Sequence, residues 1–81
     1  MPRSRRSPRY SRLTEMLVRA RQDAGLSQVD LARRLGRPQS YVSKYESGER
    51  RLDVVEFLEA TEAMGCPAID LIASLILLDL K

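Results

Sequence analysis

The sequence predicts an all-α chain of five helices. Apolar side chains recur along it at the three- and four-residue spacing of a single helix face. No stretch alternates with the period of two that marks a half-buried strand. Three of the four glycines, Gly25, Gly36 and Gly65, each follow one such periodic run, where a left-handed residue closes a helix. Eighty-one residues make one domain. A chain this short buries a modest share of its surface, and a partner chain is a common remedy.

The spacing predicts a first helix over residues 11–24, with Leu13, Met16, Leu17, Ala20 and Ala24 on one face. Residues 1–10 ahead of it read as a flexible basic arm, since 1–9 hold two prolines, four arginines and no large apolar residue after Met1. Two roles stay open for that arm: lying along a nucleic-acid groove, or acting as a solubilising tail. Ser27 caps the second helix and Asp30 completes a carboxylate version of the capping box. Leu31, Ala32 and Leu35 face inward, and Gly36 ends that helix.

Pro38 opens the third helix, where its missing N–H is no loss. Val42 and Tyr45 are its inward residues. Residues 46–51 form a polar loop bent at Gly48. Asp53 and Glu56 are a second capping pair, starting a fourth helix with Val54, Phe57, Leu58, Thr61 and Met64 on its apolar face. Pro67 begins a fifth helix. Eight of the last thirteen residues are Leu or Ile. On a helical wheel Ile69, Ile72, Ile76 and Leu80 share one side, and Leu71, Leu75 and Leu78 nearly the opposite one. A helix apolar all round does not sit on the surface of a monomer. The leucine side is expected to be a homodimer interface, with the isoleucine side packed on the domain. Coverage of both sides by the domain itself, or by another protein, stays open.

Charge is divided along the chain. Residues 1–51 carry 13 basic and 5 acidic side chains; residues 52–81 carry 1 and 6. The first part attracts polyanions and the second does not. With one cysteine and no histidine, an ordinary Cys/His zinc site and an imidazole-assisted nucleophile are both excluded, and no cofactor is expected. Cys66 reads as a small buried residue of a reducing compartment. No segment reaches the roughly 20 apolar residues of a membrane span, and no secretory signal is visible, so a cytoplasmic location is expected.

Residues 27–46 place two short amphipathic helices around a glycine, the second polar on its outward side. Together with Arg21, Gly25-Leu26-Ser27-Gln28, Leu31-Ala32, Leu35-Gly36, Gln39-Ser40, Val42-Ser43, Glu46, Gly48, Arg50, Phe57, Met64 and Gly65, this resembles the Cro/CI-type (XRE) helix-turn-helix family over residues 17–65. Pro38 departs from the family, which usually has a Ser or Thr cap there, and Leu52 stands where a proline is common. The resemblance implies a lambda-repressor-like domain that lays its third helix in the major groove of double-stranded DNA. Ala32 is small where the two helices of the motif cross, and Val42 fills the angle between them.

By that resemblance Gln39, Ser40, Ser43 and Lys44 contact bases. Gln suits adenine N6 and N7, and Lys suits guanine O6 and N7. Gln28 is expected to hold a phosphate and brace Gln39. Arg37, Tyr41 and Arg50 are expected at phosphates, although Tyr41 also fits a shielding role and Arg50 also fits pairing with Glu46 or Glu49. Arg33 and Arg34 read as solvated. Arg21 and Glu46 are expected to form a structural salt bridge. The function implied is a repressor or autoregulator binding a pseudo-palindromic operator as a homodimer. The alternative is an antitoxin or interaction module binding a partner protein, a toxin or polymerase, through the apolar fifth helix. No catalytic constellation stands out.

Overall fold

The computed structural model describes residues 7–79, the side chains of 78 and 79 excepted. Five helices follow in order: α1 (Pro8–Asp23), α2 (Gln28–Leu35), α3 (Gln39–Ser47), α4 (Val54–Met64) and α5 (Ala68–Asp79). The described residues contain no strand.

Helix α1 starts three residues before the expected position, so Pro8, Arg9 and Tyr10 are helical and not part of an arm. The cause is local. Ser7 is the N-cap, its hydroxyl accepting the Tyr10 N–H at 3.2 Å, and Pro8 fills the first helical position. Tyr10 is then buried. Its hydroxyl accepts the Leu52 N–H at 3.1 Å and donates to the Arg50 carbonyl at 3.5 Å. The start of α1 therefore holds the loop between α3 and α4. The rest of the expected arm, residues 1–6, lies outside the described residues.

Helix α2 has the capping box: Asp30 N–H to Ser27 Oγ and Ser27 N–H to Asp30 Oδ2, both at 3.0 Å. These bonds hold the Asp30 carboxyl below its ordinary value. Gly36 closes α2 at φ 67°, and its N–H reaches back to the Ala32 and Arg33 carbonyls. A side chain there would meet nothing within 4 Å, so the glycine is required by its dihedral and not by space. Pro38 sits one residue before α3, as an N-cap with extended backbone and no side-chain cap bond. Helix α4 has the second box, with Asp53 N–H to Glu56 Oε1 at 3.0 Å and Glu56 N–H to Asp53 Oδ1 at 2.7 Å.

The core lies where α1, α2, α3 and α4 meet. Leu17, Leu31, Val42 and Tyr45 are fully enclosed, and Ala32, Phe57, Ala60 and Met64 complete it. Ala32 is buried between the packed helices α2 and α3. On α4, Val54 and Leu58 are exposed, whereas Ala60 and Thr61 are inside.

The orientation of α5 corrects the expectation for its two sides. Leu71 packs against the core and Leu75 is half-buried beside Leu13 and Phe57. Ile69, Ile72, Ile76 and Leu77 are the exposed apolar residues, Ile69 at 80%. The leucine side is thus turned toward α1 and α4, and the isoleucine side is open; the Leu78 side chain lies outside the described residues. The reversal has a simple cause: Ile and Leu gain similar amounts from burial, so a helix without a polar stripe does not identify its inner side.

Candidate nucleic-acid interface

Helix α3 is nine residues long, and its 100° turn per residue divides it into three strips. Val42 and Tyr45 fix the inner strip in the core. Gln39, Ser40, Ser43 and Lys44 form the outer strip, all four exposed. Tyr41 and Glu46 fall on opposite borders between inside and outside. Each border carries a cluster of charged groups.

The Glu46 border is closed and directional. Arg21 Nε donates to Glu46 Oε2 at 2.7 Å, and Nη2 to Oε1 at 3.1 Å. A third donor, Nη1, reaches the Leu26 carbonyl at 2.8 Å. The bond to Glu46 raises the Arg21 pKa above its ordinary value against the opposing effect of burial. Gln28 Nε2 also donates to Glu46 Oε1, at 2.9 Å, and Gln28 Oε1 accepts from Gln39 Nε2 at 3.1 Å. A chain of charge-assisted and neutral bonds therefore runs Arg21–Glu46–Gln28–Gln39 from the protein interior to the first residue of α3.

The Tyr41 border gathers residues from both ends of α3 and from α4. The guanidinium carbons of Arg37 and Arg50 lie 4.5 and 4.8 Å from the Tyr41 ring centroid. Arg50 forks onto Glu56, with Nη1 to Oε1 at 3.1 Å and Nη2 to Oε2 at 2.8 Å. Arg37 approaches Glu56 at 4.0 Å and Glu59 at 3.7 Å. The Arg50 bonds first, and then the Asp53 N–H, hold the Glu56 carboxyl at about 2. Burial pushes the Tyr41 hydroxyl up.

Sequence reasoning and structure differ here in specific ways. Arg50 pairs with Glu56, not with Glu46 or Glu49. Of the two roles open for Tyr41, its burial beneath two guanidinium groups has the geometry of the shield. Arg34 is not simply solvated, because Nη1 donates to the Ala63 carbonyl near the end of α4 at 2.8 Å. The sequence shows Glu56 only as a cap and places Tyr10 in the arm. The Ser-Pro pair ahead of Tyr10, a cap followed by a first-turn proline, was the available signal for the latter.

Among the described residues no group of three or more potential metal ligands occurs, and no single helix is long and apolar enough to cross a membrane. A helix-turn-helix family model matches residues 17–71. The fold is similar to that of an XRE-family like protein from Pseudomonas syringae pv. tomato str. DC3000, with 46% identity and TM-score 0.85 over 88% of this chain and 87% of that one. It is also similar to the restriction-modification controller protein C.Esp1396I. The wild-type structure gives TM-score 0.80 at 23% identity, over 93% of this chain and 96% of that one. A point mutant of it gives 0.82 at 23%, over 93% and 100%. At that identity the controller protein shares the fold. A search of curated proteins gives no match. By the family match and the 46% likeness, the chain belongs to the XRE family of helix-turn-helix proteins, DNA-binding transcriptional regulators.

Proposed function

We propose that this protein is a sequence-specific repressor or autoregulator that reads an operator through the outer strip of α3. The observation that carries this reading is the bond from Gln39 to Gln28. It takes one of the two amide N–H groups of Gln39 and fixes the amide plane. The other N–H and Oε1 remain for the N7 acceptor and N6 donor on the major-groove edge of adenine. Ser40, Ser43 and Lys44 extend the same surface. Gln28 at the start of α2 stands where a helix N-terminus favours a phosphate, and Arg37, Tyr41 and Arg50 border the strip on its other side.

The open isoleucine side of α5 supports a two-fold homodimer, since four exposed apolar residues on one helix favour burial against a second copy. Two α3 helices about 34 Å apart then fall one turn of duplex from each other. The same surface is where a toxin or polymerase partner would bind in the antitoxin reading. A cytoplasmic location goes with either role.

Selection of bound duplexes from a random pool tests the reading. The expected outcome is two inverted half-sites one helical turn apart, and Gln39→Ala is expected to relax preference at one base step while leaving the others unchanged. Recovery of duplexes without a shared sequence would remove the sequence-specific reading, and a single half-site would remove the dimer.

A further inference from the structure

The acidic residues at the Tyr41 border, Glu56 and Glu59, have no role in the reading above, and they stand against the most obvious source of affinity. Binding to the DNA backbone grows with the net positive charge a protein brings to the phosphates. At this border two arginines face two carboxylates, so the formal charge of Arg37, Arg50, Glu56 and Glu59 together is zero. Glu56 is the centre of the group: it is forked by Arg50, approached by Arg37 and tied to the α4 backbone by the capping box.

We infer that Glu56 is an internal counter-anion for the Arg50 phosphate contact, limiting backbone attraction so that discrimination rests on the outer strip of α3. This rests on the proposed DNA-binding reading and deepens it. The geometry allows the compensation to persist in the complex. Arg50 gives Nη1 and Nη2 to Glu56, and Nη1 also reaches the Arg51 carbonyl at 3.3 Å. Its Nε edge makes no hydrogen bond among the described residues. A phosphate arriving at that edge meets a guanidinium whose charge is already matched.

The consequence appears in the salt dependence. An arginine that neutralises a phosphate releases counterions and adds about 0.9 to the slope of log affinity against log salt. An arginine matched by a fixed carboxylate adds little. Glu56→Gln removes the charge and keeps the cap, because Gln serves at the third helical position of a capping box as Glu does.

The test uses the full-length protein and a mixed-sequence duplex of 30 base pairs, titrated across a salt series. Glu56→Gln is expected to bind roughly three- to tenfold more tightly near 0.1 M salt, with a slope steeper by about 0.9. Adding Arg50→Ala to Glu56→Gln is expected to return both quantities to near the wild-type values. Glu59→Gln, at a half-exposed carboxylate whose ion pair among the described residues is with Arg37 at 3.7 Å, is expected to change affinity less than about twofold. A Glu56→Gln protein that binds equally or more weakly with unchanged slope would overturn the inference and leave Glu56 as a brace for Arg50. An equal gain from Glu59→Gln would overturn it in favour of bulk charge. If wild-type protein showed no salt-dependent binding to any duplex, the DNA-binding reading itself would fail.

Discussion

The two borders of α3 are built from the same materials and differ in enclosure. At one, the side chains of Arg21 and Glu46 are 12% and 6% exposed; at the other, those of Arg50 and Glu56 are 40% and 16% exposed. Both pairs are forked, with shortest contacts of 2.7 and 2.8 Å. Enclosure decides what each does. In the shielded pair, water does not replace a lost partner, so the pair behaves as one rigid piece joining α1 to α3. In the open pair, solvent screens the attraction, and the guanidinium keeps an edge toward the surface. In the proposed reading, one border sets the angle of α3 and the other sets how strongly its surroundings attract phosphate.

The comparison is broken most readily at the shielded border. Arg21→Met leaves the enclosed Glu46 carboxylate with Gln28 as its remaining donor among the described residues, and the Leu26 carbonyl loses its guanidinium partner. A loss of about 3 kcal/mol of unfolding free energy is expected. A urea melt of wild type, Arg21→Met, Glu46→Leu and the double variant measures it. The double variant is expected to be more stable than either single one, because it leaves no unmatched charge. If both single variants melt with wild type, the border is not structural and the contrast disappears.

That border was legible in the sequence because its members belong to the motif itself: Arg21, Gln28, Gln39 and Glu46 all fall at positions the family resemblance fixes. The open border was not. Glu56 carries a complete local explanation as the capping partner of Asp53, and nothing in the spacing says that its carboxylate also accepts two bonds from across the loop. Arg50 has nearer acidic neighbours along the chain in Glu46 and Glu49, but the turn at Gly48 leads the chain on to the start of α4. The fifth helix posed the same problem in apolar form. Its existence was clear from composition, while the side turned inward depends on how Leu71 meets the core, which no periodicity within α5 encodes. Local rules locate elements; which of two chemically similar groups turns inward is decided by the fold.

The open border can be sharpened with acid. The Glu56 carboxyl is lowered from an ordinary 4.5 to about 2. A carboxyl with a depressed folded-state pKa contributes stability that is fully present above the ordinary value and lost as pH falls toward the depressed one. Wild type is therefore expected to exceed Glu56→Gln in stability at neutral pH. The difference should shrink between about pH 4.5 and 2 and vanish below. Chemical denaturation at a series of pH values reads it directly. A difference that stays constant across this window would mean that the Arg50 fork does not stabilise the ionised carboxylate.

The smallest effect is expected where the two borders meet. Tyr45 follows Tyr41 by one helical turn, their rings packed edge to face at 5.7 Å, and it precedes Glu46 directly. Its ring is fully enclosed, and its hydroxyl is buried without a hydrogen-bond partner among the described residues. Burial, with the Glu46 charge acting in the same direction, pushes that hydroxyl well above its ordinary pKa, so it stays neutral. A neutral buried hydroxyl with no partner retains its desolvation penalty, and removing it relieves that penalty. Tyr45→Phe keeps the ring and the edge contact. It is expected to leave stability within about 1 kcal/mol of wild type, on the stabilising side, with duplex affinity unchanged. Thermal unfolding alongside the salt titration checks both. A clear destabilisation would show that the hydroxyl is bonded in solution, and a change in salt slope would show that the core beneath α3 couples the two borders, which the division into a rigid and a screened border does not allow.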